Sequence, residues 1–351
     1  MASSLIKSTI QAISPLNQHS MQQMAEQLDG LLKPPGSLGR LEALAIQLAG
    51  ITQNTCYELK EKRVIVFAAD HAVFDENVAI TPQAVTYIQA ANMVKGLTGV
   101  CALAQSVGGQ VVVVDMGIKG EPIEGVLNHK IRLGCHNIAQ GPAMSRSEAI
   151  QAVEIGIQVT QQQIQQGAQL LAIGELGIAN TTPAAAIISV LCQAKAEEVV
   201  GLGANFPTDK LQHKVDVVKR AIEINQPDMN DAIDVAAKVG GFELAAMTGA
   251  LLAAAAMRVP VVLDGFLSYS SALLASQLCP AMNAYFIPSH LSAEKGAQIA
   301  LAKLGLTPYI DMAMRLGEGS GAVLMFPLLD AACSLTRRMG KLADSQIVLP
   351  D

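Results

Sequence analysis

The first group in this chain placed to do chemistry is a carboxylate among glycines. Glu318 sits in the segment RLGEGSGA, residues 315–322, with Gly317, Gly319 and Gly321 around it. Glycine lets backbone pass close to a ligand and adopt positive φ. The apolar run VLMFPLL follows at once and anchors the loop against a core. The segment reads either as a tight turn with a solvated Glu or as a general base in a pocket wall. A second candidate is GELGIANTT, residues 174–182, between the strand-like QLLAI and the apolar helix PAAAIISVL. Such a helix N-terminus offers N–H groups to an anion, and Pro183 suits its first turn. The plainer reading is a capped helix with an ordinary loop. GLGANFPTD, residues 201–209, is another glycine-containing strand exit, with Lys214 in reach; a lone Lys is otherwise a solvated surface residue.

Other chemistries are disfavoured by spacing. No pair of the six His has HxxxH or HExxH spacing, and His71 and His290 stand alone. Asp70-His71 could be a metal pair or a dyad, but such a pair more often orients a loop through hydrogen bonds. No GxSxG, Walker A or Cys/His ligand group is present. GEGSGA is not a dinucleotide fingerprint, because a Rossmann loop belongs at the first strand turn with further strands after it. Only about thirty residues follow Gly321.

The elements that must position these groups follow from patterning. The chain has 351 residues, 51% of them hydrophobic and 15% charged, enough for a large core and a smaller second domain. A net charge of -6 without a basic cluster argues against nucleic acid. Six scattered cysteines without a CxxC pair, and an N-terminus without a signal-peptide core, suit a cytoplasmic protein with reduced thiols. The most apolar stretch, residues 244–263, contains Arg258 and Pro260 and reads as helix then strand, not as a membrane span. Abundant apolar residues with so little charge predict a subunit interface and a homodimer.

Residues 1 to about 60 read as helical, with Met21, Met24, Leu28, Leu31 and Leu32 on one face. In KPPGSLGR, Pro34 and Pro35 end a helix and Ser37 can cap the next; Lys33 and Arg40 could alternatively meet an anion. From Arg63, apolar runs at 64–69, 111–116, 170–174, 199–201, 261–263 and 284–287 read as strands buried on both faces. Helical patterns separate them; one is opened by the capping box Ser145-x-x-Glu148 and closed by Gly167. This alternation predicts an α/β fold, a Rossmann-like parallel sheet with helices on both faces, rather than a TIM barrel. Asp70-His71, Asp115, Glu175, Asp264 and Ser289-His290 each lie at a strand exit, the edge where such sheets bind ligands.

Seven segments in order, KPPGSLGRLE, FAADHAV, KIRLGCHNIAQGPAMSR, GELGIANTT, GGFELAAMTGALLAAA, PVVLDGF and RLGEGSGA, resemble nicotinate-nucleotide–dimethylbenzimidazole phosphoribosyltransferases over residues 30 to 335. The resemblance implies transfer of phosphoribose from nicotinate mononucleotide to 5,6-dimethylbenzimidazole for the lower ligand of cobalamin, with inversion at the anomeric carbon. It implies a Rossmann-like catalytic domain over 62–312, a small helical domain from 1–61 and 313–351, a homodimer, and no metal or redox cofactor. By the same match Glu318 is the base and Glu175 a polar active-site residue. Phosphate contacts map onto the loop carrying Gly174, Gly177, Asn180 and Thr181, and onto Gly203, Lys214 and Ser292. The aromatic acceptor would lie near Thr81, Gln89 and Leu316. The chain departs from the pattern at Ala72, at GLGANF and at VKGLTGV after Met93. A relative using another base or a phenol would look similar; two other classes are a non-catalytic nucleotide-binding module, to be separated by a turnover assay, and an α/β oxidoreductase, disfavoured by the missing fingerprint.

Overall fold

A computed structural model describes residues 4–345 and 347. Its sheet has six strands, all parallel: β1 (Lys62–Ala69), β2 (Gly109–Gly117), β3 (Leu127–Asn128), β4 (Leu170–Leu176), β5 (Val261–Leu263) and β6 (Phe286–Pro288). The spatial order is β3-β2-β1-β4-β5-β6. Strand order therefore reverses between β1 and β4, and the crevice beyond their carboxyl ends is where an open α/β sheet takes its ligand. β1 and β4 are buried almost throughout, as their unbroken apolar runs require.

Helices cover the sheet. Arg146–Gln165 starts at the capping box, with Ser145 Oγ accepting from Glu148 N at 3.2 Å and Glu148 Oε2 accepting from Ser145 N at 2.7 Å. It crosses Phe242–Ala256 at very short range, because Gly156 and Gly249 each face the other helix's backbone. The apolar stretch 244–263 is thus most of that helix followed by β5.

Segments from the first and last parts of the described chain meet. Helices Gln18–Asp29, Arg40–Thr52 and Phe326–Arg338 pack together. Leu32 N donates to Gly340 O at 2.8 Å and Leu342 N to Gly30 O at 2.9 Å. Ser4–Ala12 packs instead on the Arg146–Gln165 and Phe242–Ala256 pair.

Three local expectations need correction. Residues 199–201 are not a strand: Ala196–Val199 is a helical turn, and the place beside β4 is taken by β5. The run was short and apolar enough to fit either state. The last strand starts two residues later than its apolar run, because Pro280–Ala284 forms a 3₁₀ turn. Ser37 does not cap its helix; Gly39 holds the N-cap position without a side-chain bond. Lys33 and Arg40 both find partners within the chain. Lys33 pairs with Glu42 at 3.0 Å, while Arg40 stacks 4.0 Å from the Tyr309 ring centroid and bonds Pro308 O.

Candidate active site

One cavity of about 320 Å³ opens at the carboxyl edge of the sheet. Its wall includes Glu318, Glu175, Lys214, Thr81, Gln89 and Leu316, and also Gly177, Asn180, Thr181, Gly203 and Ser292. Gly174 is the one sequence candidate outside the wall. It packs beneath Glu318 instead, where a Cβ would collide with the Glu318 carbonyl.

Glu318 is buried, and its backbone is left-handed at φ 63 between Gly317 at 84 and Gly319 at 86. Gln89 Nε2 donates to its Oε1 at 2.8 Å, and Val100 N approaches Oε2 at 3.5 Å. Val100 belongs to the first turn of helix Gly99–Ser106, so the positive helix end faces the carboxylate. Glu175 lies inside β4, not after it. Asn180 Nδ2 donates to its Oε2. Burial first, and then the nearby carboxylates, push its pKa up to about 8 despite that bond. At neutral pH Glu175 therefore carries a proton, while Asn180 is diverted from capping the helix Thr181–Cys192.

Lys214 occupies the other part of the wall. It is 2% exposed, and its Nζ donates to Thr181 Oγ1 at 2.8 Å. Burial pulls its pKa down to about 8, with Glu294 opposing the shift. Gly203, at φ 55, lies next to Thr181 and the Lys214 ammonium, close enough that a side chain there would crowd both. Arg315 ties this loop to the Glu318 loop: its Nη1 donates to Gly203 O at 2.8 Å and its Nη2 to Asn205 Oδ1 at 2.7 Å. A cation, a hydroxyl and a helix N-terminus in one corner suit a phosphate.

The strand exits divide by role. Asp264 and His290 join Glu175 in the cavity wall. Asp70 and Asp115 hold backbone: Asp70 Oδ2 accepts from Lys119 N at 2.7 Å, and Asp115 Oδ1 from Gly117 N and Ile118 N at 2.9 and 2.8 Å. His71 Nε2 bonds Glu243 Oε1 at 2.8 Å, so Asp70-His71 orients a loop. Sequence spacing missed that His71, Cys135 and Glu243 bring donor atoms within 4.8 Å of one another. Those three could hold a metal by proximity. Burial, reinforced by the Glu243 charge, however keeps the Cys135 thiol protonated well above its usual range, and its sulfur already accepts from Phe242 N. Sequence reasoning also missed Glu294, which lies in no glycine-rich or helix-opening signal, and the strap made by Arg315, although Arg315 opens the glycine-rich segment itself.

A cation–hydroxyl corner and a buried carboxylate facing one cavity at this sheet edge are compatible with phosphoribosyl transfer. A protein-family model described as Phosphoribosyltransferase matches residues 13–347. The chain is a phosphoribosyltransferase. A Salmonella arizonae nicotinate-nucleotide–dimethylbenzimidazole phosphoribosyltransferase is 58% identical over 332 residues, 94% of this chain and 94% of that relative. The Salmonella paratyphi C enzyme of the same name is 57% identical over 333 residues, 95% of this chain and 94% of its own. The crystal structure of CobT from Thermus thermophilus superposes with a TM-score of 0.90 at 38% identity, covering 94% of this chain and 99% of that one. The chain belongs to the nicotinate-nucleotide–dimethylbenzimidazole phosphoribosyltransferase family.

Proposed function

We propose that this enzyme transfers phosphoribose from nicotinate mononucleotide to 5,6-dimethylbenzimidazole, giving α-ribazole 5′-phosphate and nicotinate. The observation that carries the reading is a single cavity lined by both a buried lysine and a buried carboxylate. The phosphate sits against Lys214, Thr181, Gly203 and Ser292, and the acceptor ring lies among Thr81, Gln89 and Leu316.

Nicotinate on C1′ is a pyridinium and leaves readily; the difficulty is the nucleophile. One benzimidazole nitrogen attacks C1′ as the proton on its other nitrogen passes to Glu318. The C1′–nicotinate bond breaks with its electron pair returning to the pyridine nitrogen. Attack opposite the leaving group inverts the anomeric centre. Glu175, protonated, stands in the wall without adding another negative charge beside Glu318.

We further propose that residues 62–312 form the catalytic domain and that 1–61 with 313–351 form a small helical domain. The backbone bonds joining residues 30 and 32 to 340 and 342 support this division. A homodimer working in the cytoplasm completes the reading; unpaired thiols at all six cysteines support a reducing compartment. Among the described residues no helix is long and apolar enough to cross a membrane.

The test is mass spectrometry of products from nicotinate mononucleotide with dimethylbenzimidazole, unsubstituted benzimidazole, adenine and p-cresol in competition. The expected product is α-ribazole phosphate with equimolar nicotinate. Preferential consumption of p-cresol or adenine would replace the acceptor, and no nicotinate release with any acceptor would replace the activity.

A further inference from the structure

Glu318 has few anchors of its own. Its carboxylate has Gln89 and a long approach from Val100, and the glycines on either side offer no side chain to lock the turn. Three consecutive residues, 317 to 319, are left-handed. A non-glycine residue holds that conformation only where its surroundings over-determine it. The next residues form a helix of a single turn, Ser320–Val323, too short to supply that restraint.

The restraint comes from across the sheet. Asp264 follows β5 directly and is 4% exposed. Its Oδ1 accepts from Gly321 N at 2.7 Å and Ala322 N at 3.0 Å, and its Oδ2 from Gly319 N at 3.1 Å. Among the described residues no cationic side chain neutralises it: His290 Nε2 stands 3.8 Å away, and burial lowers the pKa of that ring. A buried carboxylate without a cation is costly: burial pushes the Asp264 pKa up to about 7, and the three backbone N–H groups of a single loop oppose that rise.

We infer that Asp264 is a positioning residue for Glu318: its two oxygens clamp the N–H groups of Gly319, Gly321 and Ala322 and fix the turn that aims the base. This inference rests on the reading of Glu318 as the base. The clamp is tightened by fit. Gly319 packs against Gly174, and Gly321 has His290 where a side chain would go, so the loop has one seat. Asp264 lines the same cavity as Glu318. The titratable groups facing Asp264 are Glu318, Glu175, His290 and Tyr269.

Two variants separate shape from charge. Asp264→Asn keeps the volume but presents an NH₂ to N–H donors, so the loop loosens. Asp264→Glu keeps the charge and shifts it by one methylene. Both should lose about 10²-fold in kcat, the scale of a small misplacement of a reacting group, with nicotinate mononucleotide affinity by calorimetry nearly unchanged. In a Glu318→Gln background, Asp264→Asn should add no further loss, because residues acting as one unit are not additive. Multiplying losses in the double variant, or nucleotide binding lost with turnover, would overturn the inference. Unfolding of both variants would too, since Asp264 would then hold the sheet edge rather than one loop. If Glu318→Gln alone turns over normally, the base assignment fails and this inference falls with it. An inactive Glu318→Gln beside a fully active Asp264→Asn sinks only the role of Asp264.

Discussion

Glu318 and Lys214 divide the cavity between proton transfer and phosphate binding, so their substitutions should separate kinetically. Glu318→Gln keeps size and the Gln89 neighbour but cannot accept a proton. It should bind both substrates and lose about 10²–10⁴ in kcat, the usual contribution of one positioned base. A dimethylbenzimidazole replaced by an analogue without an N–H should react, if slowly, at equal rates in wild type and variant; steady-state assays with both acceptors check this. Lys214→Ala should instead raise KM for the nucleotide about 10–100-fold, from roughly 1.5–3 kcal/mol of charge-assisted bonding. Affinity for dimethylbenzimidazole should hardly change; an unchanged nucleotide KM would leave Lys214 a structural residue. Glu175 makes a stability prediction. Its pKa is raised from 4.5 to about 8, so the folded protein holds the proton where the unfolded chain has lost it. The associated stability is fully present below pH 4.5 and is lost as pH rises through about 8. Glu175→Gln cannot titrate, so its Tm should gain on that of wild type between about pH 5 and pH 9. A constant Tm difference across that range would show that Glu175 titrates normally.

Elements were legible where pattern and length agreed. β1, β2, β4 and β5 appear where unbroken apolar runs put them, and the capping box at Ser145 and Glu148 starts its helix as spaced. Residues 199–201 misled because three buried apolar residues suit a helical turn as well as a strand, and only the tertiary place of β5 decides. Leu127–Asn128 gave no signal, since a two-residue edge strand needs no period. The candidate site was legible through its glycine-rich loops. The Asp264 clamp and the Arg315 strap were not, because each joins segments distant in sequence through backbone groups that every residue carries. Glycines inside helices carried hidden information of the same kind. Gly249 falls in an otherwise excellent helix former, FELAAMTGALLAAAA, at a cost against Ala in propensity. Its reason is the crossing helix: a Cβ there would strike Val153 O. Gly249→Ala should therefore raise local propensity yet destabilise the protein by about 1–3 kcal/mol or more, as overpacking does. Denaturant unfolding checks the sign, and a stabilised variant would mean that the helix pair can separate freely.

At the scale of the whole molecule, the proposed homodimer needs apolar surface that the core does not use. Ile80 and Leu316 line the cavity yet remain 55% and 58% exposed, and Ile88, on helix Val85–Val94, is 54% exposed. Helix Val85–Val94 also carries Gln89, the donor to Glu318, so Ile88 lies on an element that helps to build the site. Large apolar side chains grouped around a site mark an interaction surface more than a solvated one. A symmetric dimer covering them would use one patch twice, the commonest arrangement for a homo-oligomer. It would also hold water away from the acceptor, where a dry site strengthens the pull of Glu318 on the N–H proton. Light scattering at micromolar concentration should therefore give twice the chain mass of 36.8 kDa. Ile88→Glu, an exposed position outside the hydrogen-bonded machinery, should shift the protein toward monomer without lowering the Tm of the isolated fold. If the dimer closes the acceptor side, that monomer should show a raised KM for dimethylbenzimidazole while its nucleotide KM, set at Lys214 on the other part of the wall, stays close to wild type. A wild-type monomer at these concentrations would refute the assembly, and an active Ile88→Glu monomer with both KM values intact would show that each subunit closes its own site.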